Sequence, residues 1–291
     1  MLCRNVTFHL RRKFPVRCMG TNVTPSQDKT HSSEPIQDRD KSTRSTVDHD
    51  DVLLHEKLKQ QWWNTDGPMR GLHSLNKLRV PFIRDGLINT LMDMEQKRDT
   101  PLPLTGTKIL EVGCGGGILT EPLTRLGASV VGLDASEQLI LCARNHALDM
   151  ASPNLEYVHD KIEDFADLNY EQFDGVVASE IVEHVNDKEL FIQSCIKTLK
   201  PGGSVFITTL NKTNLAWLGG ILIAENVLRI VPPGTHQWEK FISPNDMTRL
   251  LDKYGCKTKM VHGMLYFFIN NEWYWTSNTS INYAVHAVKS K

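Results

Sequence analysis

The sequence lacks an excess of charge, paired cysteines and a long apolar run. Its 33 Lys and Arg nearly balance 34 Asp and Glu, so nothing indicates nucleic acid or another highly charged partner. None of the six cysteines forms a CxxC pair, which argues against a zinc ribbon or a disulfide framework. The longest strongly apolar stretch, 215–224, is about half as long as a membrane-spanning helix. With 40% hydrophobic residues, the chain can nevertheless bury a sizeable core.

The N-terminus has no acidic residue before Asp28. Basic residues alternate there with Leu, Val and Phe in "MLCRNVTFHLRRKFPVRCMG", a pattern typical of a mitochondrial transit peptide; the alternative is a basic disordered arm. Residues 21–51 are almost all polar and bury too little apolar surface to fold. We therefore predict a transit peptide and disordered linker over 1–51, followed by one folded domain over 52–291.

The folded part alternates short β-branched runs with helical patterns. Two helices are predicted first, in "HEKLKQQWWN" and "LRVPFIRDGLINTLMDMEQK". The runs "KILEVG", "SVVGLD", "LEYVHD", "FDGVVASE" and "SVFITTL" then predict strands of a mostly parallel, doubly wound sheet with helices on both faces. The C-terminal runs "MLYFFINNEWYWTS" and "INYAVHAVKS" predict two antiparallel strands at the edge of this Rossmann-like α/β sheet.

A glycine-rich loop follows the first strand, in "ILEVGCGGGILT". Glycine lets a ligand approach the backbone closely, and such a loop in a doubly wound sheet binds nucleotide-like ligands. The dinucleotide fingerprint G-x-G-x-x-G fails at its last position, which is Ile118. Asp134 ends the next strand, about 20 residues on, where an acid can hold both ribose hydroxyls.

These stretches, "EVGCGGG" followed by "GLDAS", resemble the cofactor site of class I S-adenosylmethionine-dependent methyltransferases. The resemblance implies a seven-stranded sheet with an antiparallel C-terminal strand. It implies that Gly113 and Gly115 face the methionine part of the cofactor and that Asp134 holds the ribose. Asp160, in "HDKIEDF", matches the segment that lines the adenine; the alternative is that Asp160 only caps the following helix.

The segment "SEIVEHV" follows the fourth predicted strand. If a helix starts near Glu180, then Glu180, Glu183 and His184 share one face at i, i+3 and i+4. The two carboxylates of such a cluster repel each other unless a cation lies between them. The cluster therefore predicts a catalytic metal site, with the two carboxylates and the imidazole as ligands. The alternatives are a lone His184 acting as general base without metal, and glutamates that only suit the dipole of a surface helix.

The chain from about Trp62 onward is similar to the ubiquinone-biosynthesis O-methyltransferases, notably in "WWNTDGPMRGLHSLNKLRVPFI" and "VPPGTHQWEKFISPNDM". This resemblance implies methylation of ring hydroxyls on polyprenylated catechol or phenol intermediates, at both O-methylation steps and with metal assistance. It implies that Arg79 binds the cofactor's carboxylate and that Ser179 touches the cofactor; the alternative for Arg79 is a solvated surface residue. It assigns a divalent cation to Glu180, Glu183 and His184, with Mg²⁺ expected and Zn²⁺ or Mn²⁺ as alternatives.

Residues 214–234, "NLAWLGGILIAENVLRIVPPG", predict a helix with a broad apolar and a narrow polar face. We interpret it as an insertion that docks on a membrane and admits a polyprenyl tail; the alternative is a core-facing helix. Together with the transit peptide and the resemblance, it predicts a peripheral protein on the matrix side of the mitochondrial inner membrane. Other proteins of a ubiquinone-synthesis complex are the expected partners, and nucleic acid is not.

Other functions compete with this interpretation. A nicotinamide-dependent reductase is disfavoured by Ile118. A second alternative is a non-catalytic component of a quinone-synthesis complex, which would have the fold but not transfer methyl groups. A third is an O-methyltransferase of different specificity, which would transfer methyl groups to another acceptor. The candidate site residues are all present, which argues against a decayed enzyme.

Overall fold

The computed structural model describes residues 45–150, 152–213 and 240–291. Contacts divide the chain into two units, Met1–Ser42 and Thr43–Lys291. The predicted transit peptide and the predicted membrane-docking insertion at 214–234 lie outside the described residues. Among the residues described, none belongs to a helix long and apolar enough to cross a membrane.

The described part of the second unit contains seven α-helices and one sheet. The helices are α1 His49–Glu56, α2 Arg70–Thr90, α3 Thr120–Arg125, α4 Glu137–Ala147, α5 Ile162–Leu168, α6 Lys188–Thr198 and α7 Pro244–Lys253. The strands are β1 Lys108–Val112, β2 Ser129–Asp134, β3 Leu155–His159, β4 Phe173–Ser179, β5 Leu199–Leu210, β6 Cys256–Phe267, β7 Glu272–Thr276 and β8 Asn282–Lys289.

The sheet has the order β3-β2-β1-β4-β5-β8-β6-β7. Strands β1 to β5 run parallel, whereas β8 is antiparallel to both β5 and β6, and β7 is antiparallel to β6. The predicted doubly wound α/β class is therefore confirmed. The order reverses between β1 and β4, the place where such sheets bind ligands.

Two helix layers cover the sheet, because successive side chains of a strand point to opposite faces. In β1, Ile109 packs in a core with side chains of α2 and α3, and Leu110 packs in a core with side chains of α5 and α6. Central strands buried on both faces need near-continuous apolar runs, which is the pattern that "KILEVG" and "FDGVVASE" show.

The sheet edge differs from the prediction of seven strands. The run "MLYFFINNEWYWTS" is a hairpin and not one strand: β6 ends at Phe267, and β7 begins at Glu272 after a four-residue turn. Asn271 in this turn has a φ of 55°. Asparagine tolerates this left-handed conformation better than most residues, which lets the chain reverse here and adds an eighth strand.

The first two helix predictions were also wrong in their bounds. "HEKLKQQWWN" spans the end of α1 and a separate 3₁₀ turn at Lys59–Gln61. Helix α2 begins eight residues before the predicted stretch and ends at Thr90, while Glu95–Lys97 forms another 3₁₀ turn. The folded unit starts earlier than residue 52, since Thr46 is already buried against it.

Candidate active site

One pocket lies at the carboxyl ends of the parallel strands and gathers most of the predicted site. Its lining includes eight of the nine predicted residues, namely Arg79, Gly113, Gly115, Asp134, Asp160, Ser179, Glu180 and His184. The exception is Glu183, which is absent from the lining. Because the strands are parallel, residues that end different strands meet at one edge of the sheet although they lie far apart in sequence.

The glycine loop connects β1 to α3 and needs glycine for two reasons. Gly113, Gly115 and Gly117 have φ values of 75°, 54° and 90°, in the left-handed region that strains other residues. A Cβ at Gly113 would lie 2.6 Å from Ile181 Cγ1, and one at Gly115 would lie 2.3 Å from Trp62 Cζ2. The loop is therefore both bent and closely covered, so that its backbone forms part of the pocket wall.

Asp134, at the end of β2, is held by two backbone amides. Gly115 N–H donates to Oδ2 at 2.8 Å, and Ser136 N–H donates to Oδ1 at 2.8 Å. Burial raises the pKa of Asp134, and these two hydrogen bonds oppose the rise. The carboxylate is thus fixed in direction and tied to the glycine loop.

Asp160 follows β3 directly and lies beside Asp134. Its N–H donates to Asp134 O at 3.2 Å, and its Oδ1 accepts from Lys161 N–H at 2.8 Å. The N-cap of α5 is Lys161, without a side-chain cap hydrogen bond. The alternative that Asp160 serves as the helix cap is therefore not what the structure shows.

Arg79 is buried in α2, with 4% of its surface exposed, which excludes the alternative of a solvated arginine. Its Nη1 donates to Ser179 Oγ at 3.0 Å, and its Nε donates to Asn76 Oδ1 at 2.7 Å. Burial lowers the pKa of Arg79, and the carboxylates of Glu111 and Glu180 oppose this. A buried guanidinium in the pocket lining can bind an anionic ligand group.

Glu111 is a site residue that the sequence reasoning missed. It is 4% exposed in β1, lines the pocket, and accepts a hydrogen bond from Thr120 Oγ1 at 2.6 Å. Burial raises its pKa to about 7, against the opposing effects of Thr120 and Arg79. The available signal was an acid in an otherwise apolar buried strand, since an acid seldom occupies such a position without a partner.

The segment "SEIVEHV" does not form the predicted helix. Glu180 has a φ of 55°, its N–H donates to Thr208 O at 2.8 Å, and only Val182–His184 form a 3₁₀ turn. The bond to Thr208 extends the pairing of β4 with β5 by one residue and turns the chain away from a helical path. The prediction that three side chains share one helix face is therefore wrong.

Glu183 and His184 contact different partners. Glu183 is 7% exposed and accepts from Thr209 Oγ1 at 2.7 Å. His184 Nδ1 lies 3.5 Å from Asp51 Oδ2. Burial lowers the pKa of His184, but the carboxylates of Asp51, Glu183 and Glu180 outweigh it, so that the pKa is raised.

The donor chemistry of this cluster suits a hard cation, although the arrangement does not close around one. Glu180 Oε1 is buried and has no hydrogen-bond partner in the part of the chain that the structure describes. Burial and the charge of Glu183 raise the pKa of Glu180 to about 7. A cation would relieve both effects. Yet among the described residues no group of three His, Cys, Asp or Glu side chains is placed to hold a metal ion together.

The N-terminal segment 45–56 forms a wall of the pocket that the sequence reasoning assigned in part to a disordered linker. Val47 pairs with Val185, and Lys240 Nζ contacts Asp48 Oδ2 at 2.6 Å and Asp51 Oδ2 at 3.1 Å. Proximity to His184 and Lys240 holds the pKa of Asp51 well below its usual range, against the effect of burial. No motif in the sequence marked this segment.

Comparison with known proteins points to one family. Residues 110–207 match the family described as "Methyltransferase domain". The chain is 49% identical over 252 residues to the mitochondrial ubiquinone biosynthesis O-methyltransferase of Rattus norvegicus, covering 86% of this chain and 72% of that protein. The ubiquinone biosynthesis O-methyltransferase of Chelativorans sp. is 41% identical, with 84% of this chain and 95% of that protein covered.

Solved structures support the same fold. A SAM-dependent methyltransferase from Thermotoga maritima aligns over 82% of this chain and 99% of its own with a TM-score of 0.51 and 14% identity, a likeness of fold alone. The relatives, the matched domain and the pocket at the strand ends agree. The chain therefore belongs to the family of ubiquinone biosynthesis O-methyltransferases and is an S-adenosylmethionine-dependent methyltransferase.

Proposed function

We propose that this protein transfers the methyl group of S-adenosylmethionine to ring hydroxyls of polyprenylated catechol or phenol intermediates in ubiquinone biosynthesis, at both O-methylation steps. The observation that carries this proposal is that the glycine loop, Asp134, Arg79, Glu180 and His184 line one and the same pocket. The names of relatives that are 47–49% identical over 86% of the chain support the acceptor class.

The cofactor would occupy the part of the pocket formed by the ends of β1 to β4. We assign its methionine portion to the backbone of Gly113 and Gly115, its ribose to Asp134 and its adenine edge to Asp160. Arg79 carries five N–H groups, so its guanidinium can bind the cofactor's carboxylate while it remains bonded to Ser179. Ser179 then orients Arg79 and contacts the cofactor.

The acceptor hydroxyl would lie near His184. A phenol has a pKa of about 10, so most of it is protonated at neutral pH. If no cation is bound, neutral His184 accepts the phenol proton instead, and Asp51, 3.5 Å from Nδ1, stabilises the imidazolium that forms. The phenolate oxygen then bonds to the methyl carbon. The carbon–sulfur bond breaks, and sulfur keeps its electron pair in S-adenosylhomocysteine.

The proposal includes a divalent cation, Mg²⁺ in the first place, with Mn²⁺ or Zn²⁺ as alternatives. Glu180, Glu183 and His184 would hold it, and the unpartnered Oε1 and raised pKa of Glu180 support this. When bound, the cation supplies positive charge that favours the phenolate form of the acceptor. Its binding requires Glu183 to leave Thr209 and the three side chains to turn toward one point.

The first experiment is methyl transfer from S-adenosylmethionine to a short-tailed polyprenyl catechol, with and without EDTA. We expect turnover that EDTA abolishes and that Mg²⁺, Mn²⁺ or Zn²⁺ restores. Turnover indifferent to EDTA would keep the enzyme and reject the cation. No turnover under any condition would reject this acceptor class and favour a non-catalytic component or a different specificity.

Two variants separate the cation from the general base. Glu180→Ala with Glu183→Ala should lower the affinity for Mn²⁺, read by electron paramagnetic resonance, and lower turnover at least tenfold. If His184 instead acts as general base without metal, His184→Gln should lower turnover by about 10²-fold or more while the double glutamate variant stays active. Full activity in the double glutamate variant would end the cation proposal.

We also propose that the protein is imported into the mitochondrion with residues 1–51 acting as transit peptide and linker. It would act as a peripheral protein on the matrix side of the inner membrane, together with other proteins of a ubiquinone-synthesis complex. Residues 214–234 would dock on the membrane and admit the lipid tail. Mitochondrial relatives and the apolar pattern of this segment support the proposal. Equal binding of anionic liposomes by the whole protein and by one lacking 214–231 would reject it.

A further inference from the structure

The glycine loop is fixed on its β2 side by several bonds. Gly113 N–H and Cys114 N–H both donate to Leu133 O, at 2.8 and 3.0 Å, and Gly115 N–H donates to Asp134 Oδ2. Four of its five residues from 113 to 117 are glycines, which lose more conformational freedom on ordering than other residues. These bonds to β2 involve Gly113, Cys114 and Gly115. They do not hold the side of the loop that faces away from β2, where Gly116 lies.

A tryptophan from the N-terminal part of the chain holds that far side. Trp63 Nε1–H donates to Gly116 O at 2.9 Å, across 53 positions of sequence. The C=O and N–H of a trans peptide point in opposite directions, so this bond also fixes the N–H of Gly117. Gly117 N–H donates to Cys114 O at 3.0 Å, which closes the turn of the loop.

The indole of Trp63 is itself seated by two histidines. His146 stacks on it, with ring centroids 3.4 Å apart and parallel planes, and His73 meets it at 5.5 Å edge to face. His146 Nδ1 lies 2.6 Å from Oε1 of Glu121, whose side chain is completely buried in α3. The second oxygen of Glu121 accepts from Arg125 at 2.9 Å. A buried carboxylate therefore holds His146 in place against the indole.

We propose that Trp63 is a positioning residue for S-adenosylmethionine, because its bond to Gly116 keeps the glycine loop in the conformation that receives the cofactor, and that Glu121 acts through His146 to seat the indole. A loop that spends part of its time in other conformations binds ligand more weakly in proportion to that fraction. The inference rests on the proposed assignment of the glycine loop to the cofactor. It does not depend on the identity of the methyl acceptor.

The test is the Kd for S-adenosylmethionine, measured by isothermal titration calorimetry on the full chain, beside the thermal midpoint. Trp63→Phe keeps an aromatic ring between the histidines and removes the N–H donor together with part of the ring surface. We expect its Kd to rise about threefold to tenfold, the usual worth of one hydrogen bond, with a fall in thermal midpoint similar to that of the control variant below.

Trp273→Phe is the matched control. Trp273 Nε1–H also donates to a backbone carbonyl at 2.9 Å, that of Gly71, which lies outside the glycine loop. The Kd of the Trp273→Phe protein for S-adenosylmethionine should stay within twofold of the wild-type value, while the thermal midpoint of this variant falls. A Trp63→Phe protein with an unchanged Kd, or a Trp273→Phe protein with an equally raised one, would overturn the proposal.

His146→Gln tests the second half of the inference and decides the matter if Trp63→Phe fails to fold. Glutamine can still donate to Glu121 but cannot stack on the indole. The Kd should rise about twofold to fivefold, and in the double variant the two effects should fall short of additive because both act through one contact. The proposed series of contacts from Glu121 through His146 to Trp63 would be contradicted by an unchanged Kd in His146→Gln. It would also be contradicted if the two effects on the Kd were fully additive in the double variant. If the wild-type protein does not bind S-adenosylmethionine, both the proposed function and this inference fail.

Discussion

At the scale of single residues, the pocket is built around a row of buried charges. Arg79 is buried near enough to Glu111 and Glu180 for both carboxylates to raise its pKa, and burial raises the pKa of each acid to about 7. One cation thus faces two acids whose ionisation is held back. A bound cofactor brings a sulfonium and an ammonium group, and these positive charges would lower the pKa of both acids. Binding of the cofactor should therefore favour the ionised carboxylates.

Glu111 therefore makes the ligand-free protein less stable as the pH rises. Its pKa in the folded protein, about 7, lies above the value of 4.5 expected in the unfolded chain. Between these values the unfolded chain releases its proton first, so each rise in pH favours unfolding. Glu111→Gln removes this penalty. We expect the variant to be more stable than the wild type by about 1 kcal/mol or less at pH 5 and by on the order of 3 kcal/mol at pH 8.

Urea denaturation at pH 5, 6, 7 and 8 measures this difference. The matched control is Glu156→Gln, which removes an exposed carboxylate from β3. Its stability relative to the wild type should change little over the same range. A Glu111→Gln protein whose advantage does not grow between pH 5 and pH 8 would show that the carboxylate is not penalised by burial.

At the scale of elements, α2 carries Arg79 into the pocket and is fixed there by close contact with β5. Gly86 of α2 faces Phe206, and a Cβ at this position would lie 2.3 Å from Phe206 Cε1. The ring cannot easily move, since it is 1% exposed and stacks on His286 at 4.5 Å. Glycine is needed here because of the close approach, although it is a poor helix former.

Two glycines of α2 should therefore respond to alanine in opposite directions. Gly86→Ala should destabilise the protein by roughly 1–3 kcal/mol, because overpacking outweighs the gain of about 1 kcal/mol in helix propensity. Gly71→Ala should be neutral or stabilise by up to about 1 kcal/mol, since its nearest neighbour beyond the helix is Tyr266 Cζ at 3.8 Å. Urea denaturation of both proteins measures the contrast, and equal stabilities would contradict it.

At the scale of the whole molecule, segment 45–56 joins distant parts of the second unit. Thr46 is 2% exposed, and both its N–H and its Oγ1 donate to Glu163, at 3.0 and 2.8 Å. Asp48 and Asp51 meet Lys240, and Asp51 meets His184. The segment closes one side of the pocket through polar contacts, since none of the residues of α1 is buried.

Two truncated proteins test the role of this segment. A chain that starts at residue 45 should keep the thermal midpoint and the Kd for S-adenosylmethionine of the whole chain. A chain that starts at residue 52 loses Thr46, Val47 and Asp51, and we expect a lower midpoint and at least a threefold weaker Kd. Calorimetry and thermal denaturation of both proteins decide this. Equal behaviour of the two would show that residues 45–51 contribute nothing to the pocket.

The sequence by itself determined the parts of the protein that depend on local pattern. Strand and helix periods predicted the parallel core, and the spacing of Gly113, Gly115 and Asp134 predicted that loop and acid would meet. These predictions succeeded because a strand, a turn and a helix are specified by residues that are neighbours in the chain, and because parallel strands end at one edge. Family resemblance added Arg79 and Ser179, which the fold brings within 3.0 Å of each other.

Only the tertiary structure decided the rest. The bond from Glu180 N–H to Thr208 O stands where the sequence predicted a helix, and the Glu183 carboxylate is bonded to Thr209. Segment 45–51, polar enough to look disordered, is held by Glu163 and Lys240, more than a hundred positions away. Such contacts leave no periodic signal, because a polar residue that finds a buried partner through the fold looks in sequence the same as one that faces water.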